Sequence, residues 1–323
     1  MCDGVCANLG DIGYGVPQGS VLGPLLFLLY INDIHTSVPN NQLKLFADDT
    51  NLFLYGQKLK ELEFRANTYL SNMHHWFVAN KLSLNIDKTC YTVFSKGHSK
   101  GDYELNLYLG MNKITKVSSC KYLGMTIDDN LKWDLHVDVV YKKLMKFTGI
   151  FYKLRNVLPQ DSLKRLYYAF VHPHLIYGIE VYGSARNSVL DKLNKLNNKI
   201  LRILQNKKTR ETPVKQLYRN YNTLPITELY KLHILTFVHK CMHHKNLVPS
   251  VFHNYFSTND MVHKHNTRRK TDLHLLCSNN SYGQLCLSYI GCNMWNGLSD
   301  NLKIYCSINL FKKAVKKKLA DMT

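Results

Sequence analysis

Two adjacent carboxylates, Asp48 and Asp49, stand between two short apolar runs at residues 43–47 and 51–54. This pattern predicts a β-hairpin with the acidic pair at its tip. Asp is common in turns because its side chain bonds nearby backbone amides, and that explanation stays open. Flanking strands this apolar instead favour a hairpin lying on a core, where two like charges repel unless a proton or a cation joins them.

The chemistry that suits this pair is that of a hard divalent cation. Carboxylate oxygens without His or Cys partners favour Mg²⁺, or Mn²⁺, over softer metals. Two such ions, about 3.5–4 Å apart, promote phosphoryl transfer by stabilising the attacking and the leaving oxygen. The pair therefore permits metal-dependent nucleotidyl transfer, but by itself does not decide for it.

Four segments resemble reverse transcriptases of non-long-terminal-repeat retrotransposons, the jockey-like group among them. In family order they are GVPQGSVLGPLLF at 15–27, FADD at 46–49, LSLNIDKT at 82–89 and YLG at 122–124. The first two together are the most specific, and YLG is the weakest. The motif resemblance covers about residues 4–130, and residues 175–178 and 265–269 resemble the tails of such elements.

The resemblance implies a role for each motif residue. Asp48 and Asp49 would be catalytic metal ligands, Asp49 the less essential, and Lys88 would stabilise or protonate the leaving pyrophosphate. The implied substrate contacts are Gln18 beside nucleotide and template, Gly15 and Gly19 for close backbone approach, Phe46 and Ala47 on the nucleotide floor, and Tyr122, Leu123 and Gly124 at the primer end. The ordinary alternatives are strand packing for Phe46, a solvated lysine for Lys88 and a β-turn at 122–124.

The same resemblance predicts that part of the catalytic machinery is missing. In the family, a strand bearing a metal-binding aspartate and a fingers region precede the segment that begins at Gly15, yet only 14 residues precede it here. Asp3 and Asp11 do not take the place of that aspartate. We therefore expect the rear part of a polymerase, inactive alone, whose partners include the N-terminal palm and fingers of the parent protein.

The predicted fold class is α+β: a partial polymerase palm, an antiparallel sheet with packed helices, followed by an all-α thumb and a basic, mainly helical C-terminal region. Apolar spacing predicts a buried helix at 21–34 and an amphipathic helix at 58–80. Further strands are predicted at 90–94, 104–109, 114–117 and 122–127, and further helices at 136–155, 163–171, 190–204, 226–241 and 308–319. The corresponding domains are 1–130, 131–205 and 206–323.

Charge is divided unevenly between these domains. The 323 residues carry a net charge of +19, but residues 1–130 hold 11 Lys/Arg against 12 Asp/Glu, and residues 131–323 hold 31 against 11. Exposed helix faces are commonly charged, which explains the charges but not their surplus. We expect at least one basic cluster to bind phosphates. The candidates are Lys142, Lys143, Lys146, Lys153, Arg155, Arg202, Lys207, Lys208, Arg210, Arg268–Lys270 and Lys312–Lys318.

The Cys and His contents argue against secretion and zinc binding. The nine cysteines are odd in number and lack the dense spacing of a disulfide-stapled domain, which indicates reduced thiols inside a cell. The resemblance to retrotransposon proteins makes the nucleus one expected destination. Eight histidines lie between 233 and 274, but without the paired cysteines of a zinc knuckle. The most apolar stretch, 21–31, is about half a membrane span, so no membrane partner is expected.

The leading prediction is a portion of an RNA-directed DNA polymerase. It would extend a DNA primer on an RNA template, using deoxynucleoside triphosphates and Mg²⁺ or Mn²⁺. The alternative is a non-catalytic remnant that keeps only nucleic-acid binding. A third alternative is a gene-model fragment without a stable fold, because an incomplete palm exposes sheet edges and core.

Overall fold

The computed structural model describes residues 15–16, 19–39, 42–95, 103–208, 211–262 and 269–322. The chain divides into two compact units, Met1–Gly124 and Met125–Thr323, and each is described by itself. Helix and sheet both occur, which confirms the α+β class at that level. The division of the chain into palm, thumb and tail stays a prediction.

The first unit is organised around one long helix and several short strands. In chain order its elements are α1 (Gly23–Ile31), a 3-10 helix (Asn32–Ser37), β1 (Leu43–Phe46), β2 (Asp49–Leu52), α2 (Leu59–Ala79), a 3-10 helix (Ile86–Lys88), β3 (Cys90–Tyr91), β4 (Tyr108–Leu109), β5 (Asn112–Lys113), β6 (Thr115–Lys116) and β7 (Ser119–Tyr122). The predicted hairpin and the predicted helix at 58–80 are both present.

The expected antiparallel sheet is not formed among the described residues. The strands make separate two-stranded ladders, β1–β2 and β4–β5 antiparallel and β3–β6 parallel. Most of these strands are only two residues long. The edge of each ladder is therefore too short to form the backbone hydrogen bonds that would hold a third strand. The predicted strand at 122–127 is also wrong, because Leu123 and Gly124 have φ of 46° and 79° and interrupt it.

Helix α2 holds the first unit together by packing on two sides. Met73 and Phe77 lie in a core with Ile31, Ile34 and Leu43, which anchors the base of the β1–β2 hairpin. A second core joins Ala66 of the same helix to Leu109 of β4 and to three residues that lie beside the short strands: Leu105, Leu107 and Ile114. The apolar spacing of three and four along α2 therefore serves two packing surfaces.

Helix α1 differs from its prediction in length and burial. It was expected to be a buried helix at 21–34, but it ends at Ile31, and most of its large apolar side chains are exposed, Leu29 to 67%. The Oγ of Ser20 accepts a hydrogen bond at 3.0 Å from the amide of Gly23, the first residue of the helix. The buried positions of α1 are Gly23 and Ile31, Phe27 is partly buried against the core, and the other large apolar side chains of the helix stay exposed.

The second unit begins with one strand and is otherwise helical. In chain order its elements are β8 (Met125–Asp128), α3 (Asp134–Leu154), α4 (Gln160–Phe170), α5 (His172–Ile176), α6 (Ile179–Tyr182), α7 (Asn187–Leu204), α8 (Val214–Tyr221), α9 (Ile226–His243), two 3-10 helices (Lys245–Leu247 and Ser250–Phe252), α10 (Asn259–Val262), α11 (Ser281–Gln284), α12 (Leu287–Asn296), α13 (Asp300–Lys303) and α14 (Ile308–Met322). The five helices predicted in this region are all present. None of the described helices is long and apolar enough to span a membrane.

Helices α3 and α7 pack side by side in the same direction. Arg186, which precedes α7, pairs with Asp134 at the start of α3 at 3.5 Å, and Lys192 pairs with Asp138 one turn further on. The C-terminal ends of both helices therefore lie together at the opposite end. A single large core, from Trp133 to Leu319, fixes this arrangement.

Candidate active site

The acidic pair occupies the loop end of the β1–β2 hairpin. Leu43 pairs with Leu52 at the base and Phe46 with Asp49 at the top, so Ala47 and Asp48 form a two-residue loop. Ala47 has φ of 51°, in the left-handed region that tight hairpin loops require at such positions. Because its β-carbon disfavours that conformation by about 1–2 kcal/mol, the loop carries local backbone strain.

The tip of this hairpin is exposed, contrary to the expectation that it lies on a core. Leu43 is buried at the base, whereas the side chains of Asp48 and Asp49 are exposed. The strands extend beyond the surface that α2 covers, so water reaches both carboxylates and screens their repulsion. Burial therefore does not force a cation onto the pair, and the case for a metal rests on the donor set and its surroundings.

The two carboxylates at the hairpin tip suit Mg²⁺, which needs few ligands from the protein. Mg²⁺ sites commonly use one or two carboxylates, with water and substrate phosphates completing the shell. Across the described parts of the chain, no group of three or more His, Cys, Asp or Glu side chains could hold a metal ion. Asp48 and Asp49 fit such a site as two of its oxygen ligands, and the open tip leaves room for a triphosphate to supply others.

Phe46 shares a face of the hairpin with Asp49. The two residues are directly opposite in the ladder, so their side chains project to the same side. The Phe46 side chain is 62% exposed and lies in neither core of the first unit. Ordinary strand packing therefore does not account for it, and the ring is available to a ligand beside Asp49.

The Tyr122–Leu123–Gly124 motif lies near the end of the hairpin's second strand. The Tyr122 ring meets the Phe53 ring edge-on, with 5.7 Å between centroids, and Phe53 directly follows β2. Leu123 and Gly124 both have positive φ, as in a tight turn. The structure thus shows the turn that was the alternative explanation for this motif, and the contact of the motif with the primer stays a prediction.

Lys88 ends a 3-10 turn whose geometry is set by Asn85. The Asn85 side chain accepts a hydrogen bond from the Lys88 amide at 3.2 Å, while Leu84 and Ile86 pack on the unit's core. The Lys88 side chain is exposed and forms no hydrogen bond or ion pair with another described residue. Its role at the pyrophosphate therefore stays a prediction.

The remaining motif positions are only partly described. Gly15 and Gly19 have φ of 88° and 86°, a conformation that a side chain would strain. Gln18, the predicted nucleotide and template contact, lies outside the described residues, as do Asp3, Asp11, Arg210 and residues 265–268.

A basic cleft in the second unit collects cations that sequence reasoning had assigned to separate clusters. It is a cavity of about 460 Å³ lined by Ile203 and by Arg155, Lys195, Lys199, Arg202, Lys207 and Lys208. Lys195 and Lys199 were missed, although their spacing with Arg202 along a helix was the signal that could have found them. We call these six cations the basic cleft.

The histidine-rich segment forms an aromatic stack in the second unit. The centroid of the His239 ring lies 4.2 Å from that of the Phe311 ring and 4.8 Å from that of the His243 ring. Its Nε2 is 2.6 Å from the Tyr305 carbonyl oxygen, to which it donates. Burial lowers the pKa of His239, which favours the neutral ring.

The segment that contains the β1–β2 hairpin matches a known protein family. Residues 12–127 match the family model described as reverse transcriptase (RNA-dependent DNA polymerase). This segment resembles a reverse transcriptase. The resemblance predicted from the four motifs is confirmed, and it extends over just over a third of the chain.

The curated proteins that this chain resembles come from mobile elements. The chain is 28% identical over 213 residues to an RNA-directed DNA polymerase from mobile element jockey of Drosophila melanogaster, a match covering 62% of the chain and 23% of that protein. A probable RNA-directed DNA polymerase from transposon BS of the same species is 26% identical, over 59% of the chain and 22% of its own length. The chain thus spans about a quarter of these relatives. No solved structure matches it.

Proposed function

We propose that the first unit takes part in RNA-directed DNA synthesis as a portion of a retrotransposon reverse transcriptase. The reaction is nucleotidyl transfer, in which a primer hydroxyl attacks a deoxynucleoside triphosphate and pyrophosphate leaves. The observation that carries the proposal is the β1–β2 hairpin, which presents Asp48 and Asp49 exposed at its tip within the segment that matches the reverse transcriptase family.

In this proposal each part of the hairpin has its own task. Asp48 and Asp49 would hold Mg²⁺ or Mn²⁺, and the bound ion would supply positive charge that offsets the negative charge of the triphosphate. The Phe46 ring and the Ala47 methyl group form the surface against which the nucleotide lies, since both are exposed next to the acidic pair. Lys88 stabilises the departing pyrophosphate, and the Tyr122 turn holds the primer end.

Primer extension on an RNA template tests the proposal. Wild-type protein is incubated with a DNA primer, the four deoxynucleoside triphosphates and Mg²⁺, alone and together with a separately expressed upstream palm and fingers segment of a jockey-type relative. Incorporation is expected in at least one arm. Asp48→Asn should then reduce it at least about a hundredfold, because one oxygen ligand of the metal loses its charge.

Asp33→Asn is the matched control, because Asp33 is another exposed aspartate of the same unit. It should leave incorporation unchanged. Incorporation that survives Asp48→Asn, or that falls equally in Asp33→Asn, contradicts the assignment of the hairpin as the metal site.

A second candidate function is nucleic-acid binding without catalysis. It is favoured by the basic cleft of the second unit, which contains no acidic residue among its lining side chains. Salt-sensitive binding of RNA or DNA, with no extension in either arm of the preceding experiment, would support this candidate over the first.

A further inference from the structure

One face of helix α7 carries a line of cations. Lys195, Lys199 and Arg202 are spaced by four and three residues, so they lie above one another, about 5–6 Å apart. The opposite face of α7 is buried in the core of the second unit through Leu193, Leu196, Ile200 and Leu204. The charged line therefore has a fixed support and points away from the core.

The end of α7 adds two more cations to this line. Asn206 has φ of 50°, and the Lys207 and Asn206 amides donate to the carbonyls of Arg202 at 3.0 Å and Ile203 at 3.2 Å. This is the Schellman arrangement, which folds the chain back over the last helical turn. Lys207 and Lys208 consequently line the same cavity as Arg202.

Helix α3 contributes the sixth cation from the other side. Because α3 and α7 run in the same direction, Arg155 at the end of α3 faces the end of α7 across the cavity. The Arg155 guanidinium lies 3.9 Å from the centre of the Tyr152 ring, which holds it against the surface. Tyr152 itself is 57% exposed at the edge of the cleft.

These cations are almost entirely unneutralised by the described residues. The one ion pair among them joins Lys208 to Glu211, at 3.2 Å between exposed side chains. The Nε atoms of Arg155 and Arg202 are buried and have no hydrogen-bond partner among the described residues. Six clustered cations with a single ion pair among them leave this surface strongly positive, which favours binding of an anion.

The helix ends do not supply that balance. Cations commonly gather at helix C-termini because the last carbonyls carry about half a negative charge for each helix. The two helices that end at the cleft thus contribute about one negative charge, against six positive side chains. Most of the positive charge remains available to a ligand.

We propose that the basic cleft binds the phosphodiester backbone of a nucleic acid strand. Arginine forks bind phosphate oxygens in pairs, and the lysine line follows a repeating charge that a single small anion does not possess. The exposed Tyr152 ring offers a stacking surface for a base beside the backbone. The inference deepens the proposed function, on which it rests for the identity of the polyanion as nucleic acid, and it assigns a specific site.

Fluorescence anisotropy in the presence of a metal chelator tests the proposal without requiring catalysis. The 323-residue chain is titrated with labelled single-stranded RNA, single-stranded DNA and duplex, at several salt concentrations. Lys195→Gln, Lys199→Gln and Lys207→Gln are combined in one variant, since all three side chains are exposed. The slope of log affinity against log salt should fall by about 2, because each lost phosphate contact removes about 0.7–0.9.

The matched control removes the same charge from three exposed lysines outside the cleft and outside the candidate phosphate-binding clusters: Lys60, Lys132 and Lys245, each changed to Gln. Its slope should change by less than about 0.5. Equal changes in the two triple variants would show that net charge alone binds the strand, and would overturn the proposal.

Two further measurements keep the test independent of folding. Arg202→Lys retains the charge and removes the fork, so affinity should fall several-fold while the slope stays constant. In lysine acetylation monitored by mass spectrometry, saturating oligonucleotide should protect Lys195, Lys199 and Lys207 but not Lys245. Unprotected cleft lysines, or poly-glutamate bound as tightly as the oligonucleotide through the cleft, would overturn the proposal. Absence of primer extension affects the proposed function and leaves this outcome unchanged.

Discussion

At the scale of single residues, Ala47 has the most unusual backbone in the candidate site. It precedes Asp48 in the hairpin loop and adopts a φ of 51° that glycine would tolerate without cost. We expect the alanine methyl group to be kept because it contacts the nucleotide, so that the site accepts local strain in exchange for a contact surface.

Ala47→Gly should therefore stabilise the hairpin while impairing nucleotide binding. Relief of the left-handed strain is worth about 1 kcal/mol, which slows local opening about fivefold. Hydrogen exchange at the amides of Leu45 and Thr50 measures this directly. Ala79→Gly, at the exposed end of α2, has no such strain and should speed exchange in its own helix. Faster exchange of the hairpin in Ala47→Gly would contradict the strain argument.

At this scale the sequence located the hairpin that carries the acidic pair but did not predict that the tip of the hairpin is exposed to solvent. The hairpin tip was located from the acidic pair and the apolar runs beside it, and the family match agrees. Its exposure was predicted wrongly, because apolar composition does not tell which residues of a strand extend past the helix that covers its base. Phe46 illustrates this, being apolar yet 62% exposed.

At the scale of elements, long periodic helices were predictable and short connections were not. Helices α2, α7 and α9 repeat their apolar residues over many turns, so their existence follows from the spacing. Helices α5 and α6 have four or five residues each and are held by tertiary packing at Leu175, Ile179 and Tyr182. The sequence named four of the six cations of the basic cleft but did not predict that they share one site, since that depends on how two helices align.

The link between α5 and α6 provides a test of this packing. Gly178 has φ of 67°, and an added β-carbon would lie 2.3 Å from the Met125 sulfur. Gly178→Ala should lower the free energy of unfolding of the second unit by about 1–3 kcal/mol, from backbone strain and displacement of that side chain. Gly149→Ala, inside α3 with open space around it, should raise it by up to about 1 kcal/mol. Urea unfolding followed by circular dichroism distinguishes the two, and equal effects would contradict the packing described.

At the scale of the whole molecule, buried histidines make stability depend on pH. Burial lowers the pKa of His172 to about 4, and the positive charges of Lys316, His233 and Lys312 add to the effect. Burial also lowers the pKa of His136 and His239. Each of these rings is kept neutral in the folded state, whereas the unfolded chain takes up a proton near pH 6.5.

The free energy of unfolding should therefore keep its full contribution from these neutral rings above about pH 6.5 and lose it progressively as the pH falls towards 4. For His172 alone the loss amounts to at most about 3 kcal/mol. Urea midpoints measured between pH 7.5 and 4.5, by the fluorescence of the buried Trp133 and Trp295, should fall with pH. His172→Gln should flatten this dependence, while His75→Gln, an exposed histidine of the first unit, should not. A flat wild-type profile would contradict the account.

The central claim concerns the hairpin, and manganese binding tests it most directly. Electron paramagnetic resonance counts free Mn²⁺ in the presence of a deoxynucleoside triphosphate, with and without protein. Wild-type protein and Asp33→Asn should remove Mn²⁺ from solution beyond what the nucleotide alone binds, and Asp48→Asn should lose that excess. Equal Mn²⁺ uptake by wild type and Asp48→Asn would contradict the assignment of Asp48 as a metal ligand.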